Sequence, residues 1–259
     1  MKSKLHVDTI ITGKEIQVML HPLLSIVIPA YNEEQRLPET LQVIHAFLQK
    51  QTYKAEVLVV ENGSDDHTLT IAQEFSRSMP EVRALHCDQR GKGLAVIQGM
   101  LAASGEYRFI CDVDLSMPIE EVNKFLPPQL NDGVIAIASR EAAGAKRYNE
   151  PEYRHIIGRV FNLMVRLIAL PGLQDTQCGF KCFRANVVEK VFPRMTMRGW
   201  TFDVEALVIG HRLGFKIVEI PIPWYYNPKS KVKVLRDSFI MARDLVTIRW
   251  NALRGVYDR

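Results

Sequence analysis

Four short runs, LLSIVIPA (23–30), AEVLVV (55–60), YRFICDVD (107–114) and VIAIAS (134–139), limit the fold more than any other feature of the chain. The first two are apolar and rich in β-branched residues without polar alternation, as in strands buried on both faces, and the other two read as further strands, YRFICDVD delivering two aspartates at its end. Between the early runs, apolar residues fall at helical spacing: Leu37, Leu41, Ile44 and Leu48, then Leu69, Ala72, Phe75 and Met79. GSDDHT (63–68) supplies turn and N-cap chemistry, and RGKGLAVIQGMLAASG is a Gly-rich lead-in to a helix ending near Gly105. A further short strand is expected over 82–86. Strands alternating with helices of this length predict parallel βαβ units, hence an α/β class with a mostly parallel central sheet flanked by helices.

The second half is less regular. Ile157, Val160, Phe161, Met164, Leu167 and Ile168 define one helix, a second is expected around 203–213, and KIVEI (216–220) reads as a strand. From Leu235 onward, Phe239, Ala242, Val246, Trp250 and Leu253 mark one face of a last helix. With 259 residues, 47% hydrophobic and 24% charged, and no repeat or low-complexity linker, the chain is expected to fold as a single domain over 1–259. A formal charge of +4 is too slight for a nucleic-acid footprint. No run approaches the roughly eighteen apolar residues of a membrane span, and MKSKLHVDTIITGKEIQVML has no continuous apolar secretory segment. The cysteines Cys87, Cys111, Cys178 and Cys182, with no CxxC pair, are therefore expected to be reduced and cytosolic.

Asp112 and Asp114, one residue apart at the end of an apolar run, would project together from a strand end, and like charges so placed call for a cation. A hard ion such as Mg2+ or Mn2+ takes one or two carboxylates and completes its shell with phosphate oxygens. An exposed turn with two solvated aspartates is the alternative. PAYNEE and ENGSDD, after the first two strands, gather acidic and amide groups on the same sheet edge, where open α/β folds bind ligands. There Glu61 could accept from a nucleobase N–H, and Lys92 could face a phosphate. The absence of GxxxxGK[ST] and of GxGxxG argues against a P-loop NTPase and a dinucleotide dehydrogenase.

In this order, IVIPAYNEE, VVENGSDDHT, GKGLAVIQGM and DVD resemble glycosyltransferase family 2, whose GT-A fold binds a nucleotide sugar and a divalent metal. DTQCGFKCF, GWTFDVEALVIGHRLG, VEIPIPW and SKVKVLRDS resemble the dolichyl-phosphate glucosyltransferases and, less closely, the dolichyl-phosphate mannose synthases, so that the likeness runs from Leu24 to Arg249. The resemblance implies inverting transfer of a hexose from UDP-glucose, or alternatively GDP-mannose, to a polyprenyl phosphate. It implies a nucleotide-binding half over 23–114, an acceptor half over 115–230 and a C-terminal amphipathic helix over 231–259. Pro29, Tyr31, Glu33, Glu61 and Lys92 would line the nucleotide, and Asp112 and Asp114, with Ser116 beside them, the metal and diphosphate. Glu61 and Asn62 stand where the family often has two aspartates, and Ser116 where mannose synthases commonly carry Gln, which weighs against GDP-mannose.

A phosphate monoester has a second pKa near about 6, so the acceptor is already an anionic nucleophile at neutral pH and needs no strong base. The chemistry instead needs cations for two anions. Arg140, Lys181, Lys231 and Arg236 are the candidates for acceptor phosphate or diphosphate, and Asp175, Asp203 and Glu205 for sugar hydroxyls, for orienting those cations or for structural caps. The last helix, flanked by Lys231, Lys233, Arg236, Arg243, Arg249 and Arg254, suits peripheral contact with the cytoplasmic face of a membrane. Packing on its own domain, on a second copy or on a membrane partner subunit is the other reading. A non-catalytic nucleotide-sugar-binding module is the rival from outside the enzymes. A nucleotidyltransferase is opposed by the lack of its N-terminal Gly-rich loop and basic residue.

Overall fold

The computed structural model describes residues 21–128, 134–228 and 234–258. Its first half runs β1 (Leu24–Ala30), α1 (Leu37–Leu48), β2 (Ala55–Glu61), α2 (Thr68–Ser78), β3 (Val82–His86), α3 (Lys92–Ala102) and β4 (Tyr107–Ile110). Then follow β5 (Val134–Ser139), β6 (Lys146–Tyr148), α4 (Glu152–Ile168), β7 (Lys181–Arg184), α5 (Ala185–Val191), α6 (Phe202–Arg212), β8 (Lys216–Pro221), β9 (Pro223–Tyr225) and α7 (Val234–Leu253). Seven strands make the central sheet in the order β3-β2-β1-β4-β7-β5-β8, and β6 pairs with β9 beside it. All neighbours in the large sheet are parallel except β7, which runs antiparallel to both β4 and β5.

Both faces of the sheet are covered, which is why its strands read as unbroken apolar runs. Successive residues point to opposite sides. Val27, Val60, Ile110, Ile137 and Phe183 join a core with α3, α5, α6 and α7. Ile26, Ile28, Val59, Phe109 and Cys182 join a second core on the other face, with α1. All four cysteines are free thiols.

One expectation needs correction. β4 ends at Ile110, where its pairing with β7 stops, so Asp112 and Asp114 are carried by a turn and not by alternation along a strand. In that turn Leu115 adopts φ 43, a left-handed conformation uncommon for a branched side chain. Two helices carry part of their apolar residues outward. In α4 the buried residues are Phe161, Asn162 and Val165, whereas Ile157, Val160 and Leu167 are exposed. In α7, Leu245, Ile248 and Ala252 are buried, and Phe239, Val246, Trp250 and Leu253 face outward. No helix among the described residues is long and apolar enough to cross a membrane.

Helix α3 lies against β1 and β2 through Gly99, where an added methyl would overlap the side chains of Val27 and Val60. Gly99→Ala is therefore expected to lower the unfolding free energy by about 1–3 kcal/mol through overpacking, despite alanine's better helix propensity. Urea titration of the purified variant checks this, and an unchanged midpoint would mean that α3 can shift away from the sheet.

Candidate active site

The turn after β4 sits between two cavities. One, of about 440 Å³, is lined by Pro29, Tyr31, Glu33 and Asn62 from the ends of β1 and β2, with Arg90 at the lead-in to α3. The other, of about 280 Å³, is lined by Ser116, Arg140, Arg147, Arg154, Gln177 and Asp203 among others. Lys92, Asp112, Asp114 and Trp200 line both, so the cavities form one trough with the aspartates at its waist.

Two loops build the first lobe by bonding to each other. Asn32 N–H donates to Ser64 Oγ at 3.0 Å, Asp65 N–H to Asn32 Oδ1 at 2.8 Å, and Glu33 N–H to Thr68 Oγ1 at 2.7 Å. Asn32 has φ 52, a conformation that asparagine tolerates better than most residues. Glu33 is held by Arg36 through two bonds of 2.7 and 2.8 Å. The guanidinium of Arg90 lies 5.2 Å from the centre of the Tyr31 ring. Glu61 lines neither cavity. It is fully buried, accepts from Ser64 N–H, and meets His86 Nδ1 at 2.6 Å. The Glu61 hydrogen bond holds His86 above the usual imidazole range, against the pull of desolvation. Asn62 takes the wall position that Glu61 was expected to occupy.

At the waist, Lys92 Nζ lies 2.6 Å from Asp112 Oδ1. Burial works against both charges, yet the pair holds Lys92 above and Asp112 below their ordinary values. Asp114 is pushed up, first by burial and then by the charge of Asp112. Its Oδ1 accepts from Ser116 N–H at 3.1 Å, which places Ser116 as a partner of Asp114. Two crowded carboxylates, one of them raised, are a donor set that suits a hard divalent cation. Among the described residues no group of three or more His, Cys, Asp or Glu could hold a metal, so such an ion would draw further ligands from substrate and water.

In the second lobe, Arg140 forms a buried bidentate pair with Asp175, Nε to Oδ2 at 2.7 Å and Nη2 to Oδ1 at 2.9 Å. Burial opposes both charges, but their proximity raises Arg140 and lowers Asp175. Arg140 also stands 5.3 Å from the Trp224 ring centre. Lys181 is only 1% exposed and lines neither cavity. Its Nζ is 3.0 Å from Asp203 Oδ1, so it serves as counter-ion to a wall carboxylate and is not itself a phosphate contact. Burial raises Asp203, and Lys181 opposes that rise. Arg236 is exposed and lines neither cavity, Glu205 is buried away from both, and Lys231 lies outside the described residues.

Sequence reasoning missed Arg154 and Gln177. Both line the second lobe, and Arg154 Nε and Gln177 Nε2 are buried donors without an acceptor. Arg154 sits 5.3 Å from the Tyr226 ring centre and makes no ion pair among the described residues. Two unsatisfied donors in one cavity predict a ligand rich in acceptors. Trp200 was missed as well, because it joins the waist from a segment remote in the chain.

Comparison with known proteins gives the same picture. The family model described as glycosyl transferase family 2 matches residues 25–192. The dolichyl-phosphate beta-glucosyltransferase of Saccharomyces cerevisiae is 35% identical over 90% of this chain and 76% of its own length. That of Drosophila melanogaster is 34% identical over the same shares, and that of Homo sapiens 31% over 90% and 77%. Among solved structures, the glucosyl-3-phosphoglycerate synthase of Mycobacterium tuberculosis in complex with uridine diphosphate aligns with a TM-score of 0.64, 17% identity and coverage of 93% and 83%. The same enzyme in complex with Mn2+, UDP-glucose and phosphoglyceric acid gives 0.62, at 17% identity and coverage of 93% and 83%. The chain belongs to glycosyl transferase family 2, has the GT-A fold, and within the family is similar to the dolichyl-phosphate beta-glucosyltransferases.

Proposed function

We propose that this chain transfers glucose from UDP-glucose to the phosphate of dolichol or a related polyprenol, inverting at the sugar carbon and using Mg2+ or Mn2+. The observation that carries the reading is the trough itself, two lobes joined at Asp112, Asp114 and Lys92, with the unpaired buried donors of Arg154 and Gln177 in the second lobe. Glucose as the sugar and dolichyl phosphate as the acceptor are supported by the similarity to the dolichyl-phosphate beta-glucosyltransferases. The nucleotide and the metal are supported by what the neighbouring structure was solved with. Residues 23–114 would then be the donor half, 115–230 the acceptor half, and 231–259 the C-terminal segment that carries α7.

In this reading Pro29, Tyr31, Glu33 and Asn62 hold the base and ribose, and Lys92 faces the diphosphate. A bound divalent ion would be held by Asp112 and Asp114 and would neutralise charge on the leaving diphosphate. Arg154 and Gln177, with Arg140 behind them, hold the acceptor phosphate. Asp203 faces the sugar, and its carboxylate, steadied by Lys181, can accept a hydrogen bond from a hydroxyl. The acceptor oxygen is already anionic near neutral pH. The residues therefore have to orient and neutralise, and no group has to remove a proton.

A lipid acceptor must be met at a surface. On α4, Tyr153, Ile156, Val160, Leu163 and Leu167 stand exposed, and on α7 so do Phe239, Val246, Trp250 and Leu253. Their spacing puts each set on one helical face. Exposed Arg159, Arg166, Arg243, Arg249 and Arg254 flank them, while Asp244 is largely covered. Ile157, Gly158, Ser238 and Met241 from the same helices line the second lobe, so the apolar face adjoins its mouth. An anionic bilayer suits this face. The free thiols fit a reducing, cytoplasmic compartment.

The test of the function is a panel of nucleotide sugars offered with a short polyprenyl phosphate. UDP-glucose should give the most labelled lipid. Preference for GDP-mannose would change the sugar, and no transfer from any donor would leave a binding module. With the preferred donor, Asp114→Asn should cut turnover by ~100-fold or more, a loss of several kcal/mol, with circular dichroism unchanged. Arg154→Ala should raise acceptor KM or lower kcat by ~10–100-fold while leaving UDP affinity by calorimetry nearly intact, since only a charge-assisted bond to the acceptor is lost. An equal loss of UDP affinity would move Arg154 to the donor. Co-sedimentation with anionic vesicles should fall on Val160→Ser, Leu167→Ser, Phe239→Ser and Trp250→Ser combined, with turnover of a water-soluble short acceptor retained. Binding that survives all four changes would assign this face to another protein surface.

A further inference from the structure

The segment 195–201, MTMRGWT, reaches the waist of the trough without belonging to a helix or strand, and something has to fix its shape. Trp200 lines both lobes and Gly199 the donor lobe. The Lys92 ammonium lies 5.3 Å from the Trp200 ring centre. Arg198 C=O accepts from Gly93 N–H at 2.9 Å, in the first turn of the helix that carries Lys92. A side chain at Gly93 would meet Met197 O at 2.6 Å, so segment and helix are in backbone contact.

Beneath this segment lies Glu205, fully buried on α6. Its carboxylate accepts from Thr196 N–H at 2.8 Å, Thr196 Oγ1–H at 2.6 Å, Met197 N–H at 2.7 Å and the Tyr257 hydroxyl at 2.9 Å. None of these donors is charged. A buried carboxylate without a cation is costly unless its lone pairs are all used, and four donors use them. The arrangement leaves the segment one position in which every group is satisfied. The last helix and its tail close the clamp: Asn251 Nδ2 donates to Thr196 Oγ1 at 3.3 Å, and Thr201 Oγ1 donates to Asp244 Oδ2 at 2.6 Å. Tyr257, 1% exposed, sits in the short turn that follows α7.

We propose that Glu205 and Tyr257 are positioning residues for the donor, acting through segment 195–201 to hold Trp200 and Lys92 at the waist, so that the C-terminal turn forms part of the donor site. The proposal rests on the glycosyl-transfer reading above. It assigns to the end of the chain a role that its distance from the aspartates in sequence does not suggest.

Tyr257→Phe keeps the buried ring and removes one donor. It should raise KM for the nucleotide sugar and weaken UDP binding in the presence of Mg2+ by about 5–10-fold each, because the hydrogen bond lost is one that fixes segment 195–201, whose Gly199 and Trp200 line the donor lobe. Free-sugar release relative to transfer should rise as the wall loosens. Thr201→Val, which cuts the second tie, should shift the same parameters in the same direction. If both variants melt earlier but keep wild-type donor KM and UDP affinity, the network is structural and the proposal falls. Failure of the wild-type chain to bind UDP would overturn this inference together with the choice of donor, whereas transfer by the wild type alongside unchanged variants overturns the inference alone.

Discussion

Asp112 and Asp114, half-buried, and Asp203, buried, meet at the waist of the trough, and the rest of the structure holds them there. Buried like charges raise one another's proton affinity unless cations intervene. Two lysines do so: Lys92 at Asp112 and Lys181 at Asp203. Lys181 is delivered by β7, the one antiparallel strand of the large sheet, which lies between β4 and β5. A strand parallel to β4 would bring its C-terminal end to this edge, whereas β7, running the other way, brings its first residue, Lys181. Asp114 has no ion pair among the described residues, and it is the carboxylate whose pKa rises.

The two lobes differ in how far they are completed by the protein. In the donor lobe, loop amides and side chains satisfy one another, and Glu33 and Asp65 each hold an arginine in two bonds. The Arg90–Asp65 pair is exposed and contributes little to stability, so its use is to fix where Arg90 lies. In the acceptor lobe, Arg154 and Gln177 keep buried donors unused. A preformed lobe favours a rigid, polar ligand held by many contacts, whereas a lobe with spare donors beside an apolar helix face favours a compact anion on an apolar stem.

How much of this was legible follows from what each residue signal depends on. The strands and helices of the first half were readable because burial on both sheet faces leaves unbroken apolar runs, and turn residues mark their ends. The direction of β7 was not, because strand polarity depends on a connection the sequence does not mark. Periodicity located α4 and α7 and the apolar side of each. It reports that a helix has an apolar side, but not whether a core or another surface covers it. Asp112, Asp114, Lys92, Arg140 and Asp203 were identifiable from residue type and place, and the structure brings all five to the trough. Glu61 was misplaced for a local reason: it is the register partner of His86 across β2 and β3, and the imidazole draws the carboxylate sideways. Arg154, Gln177 and Trp200 come from three separate elements whose convergence only the fold reveals.

The position of Lys92 then has a simple electrostatic cause. If a phosphate oxygen is to approach a sugar that still carries a diphosphate, two anions must come close in a partly dry trough. Two unit charges about 5 Å apart at an effective dielectric of about 20 repel by roughly 3 kcal/mol, and phosphates carry more than one charge each. Cations confined to one lobe would stabilise one partner and leave this repulsion standing. A cation shared by both lobes lowers it for both, and Lys92 lines both. Its pairing with Asp112 keeps the ammonium charged despite burial, and the Trp200 and Phe202 rings, 5.3 and 5.9 Å away, limit where it can swing. The helix that begins at Lys92 is fixed to the sheet through Gly99, and its first turn is bonded to Arg198. The charge that both substrates would meet is therefore held by core packing on one side and by the Glu205 clamp on the other.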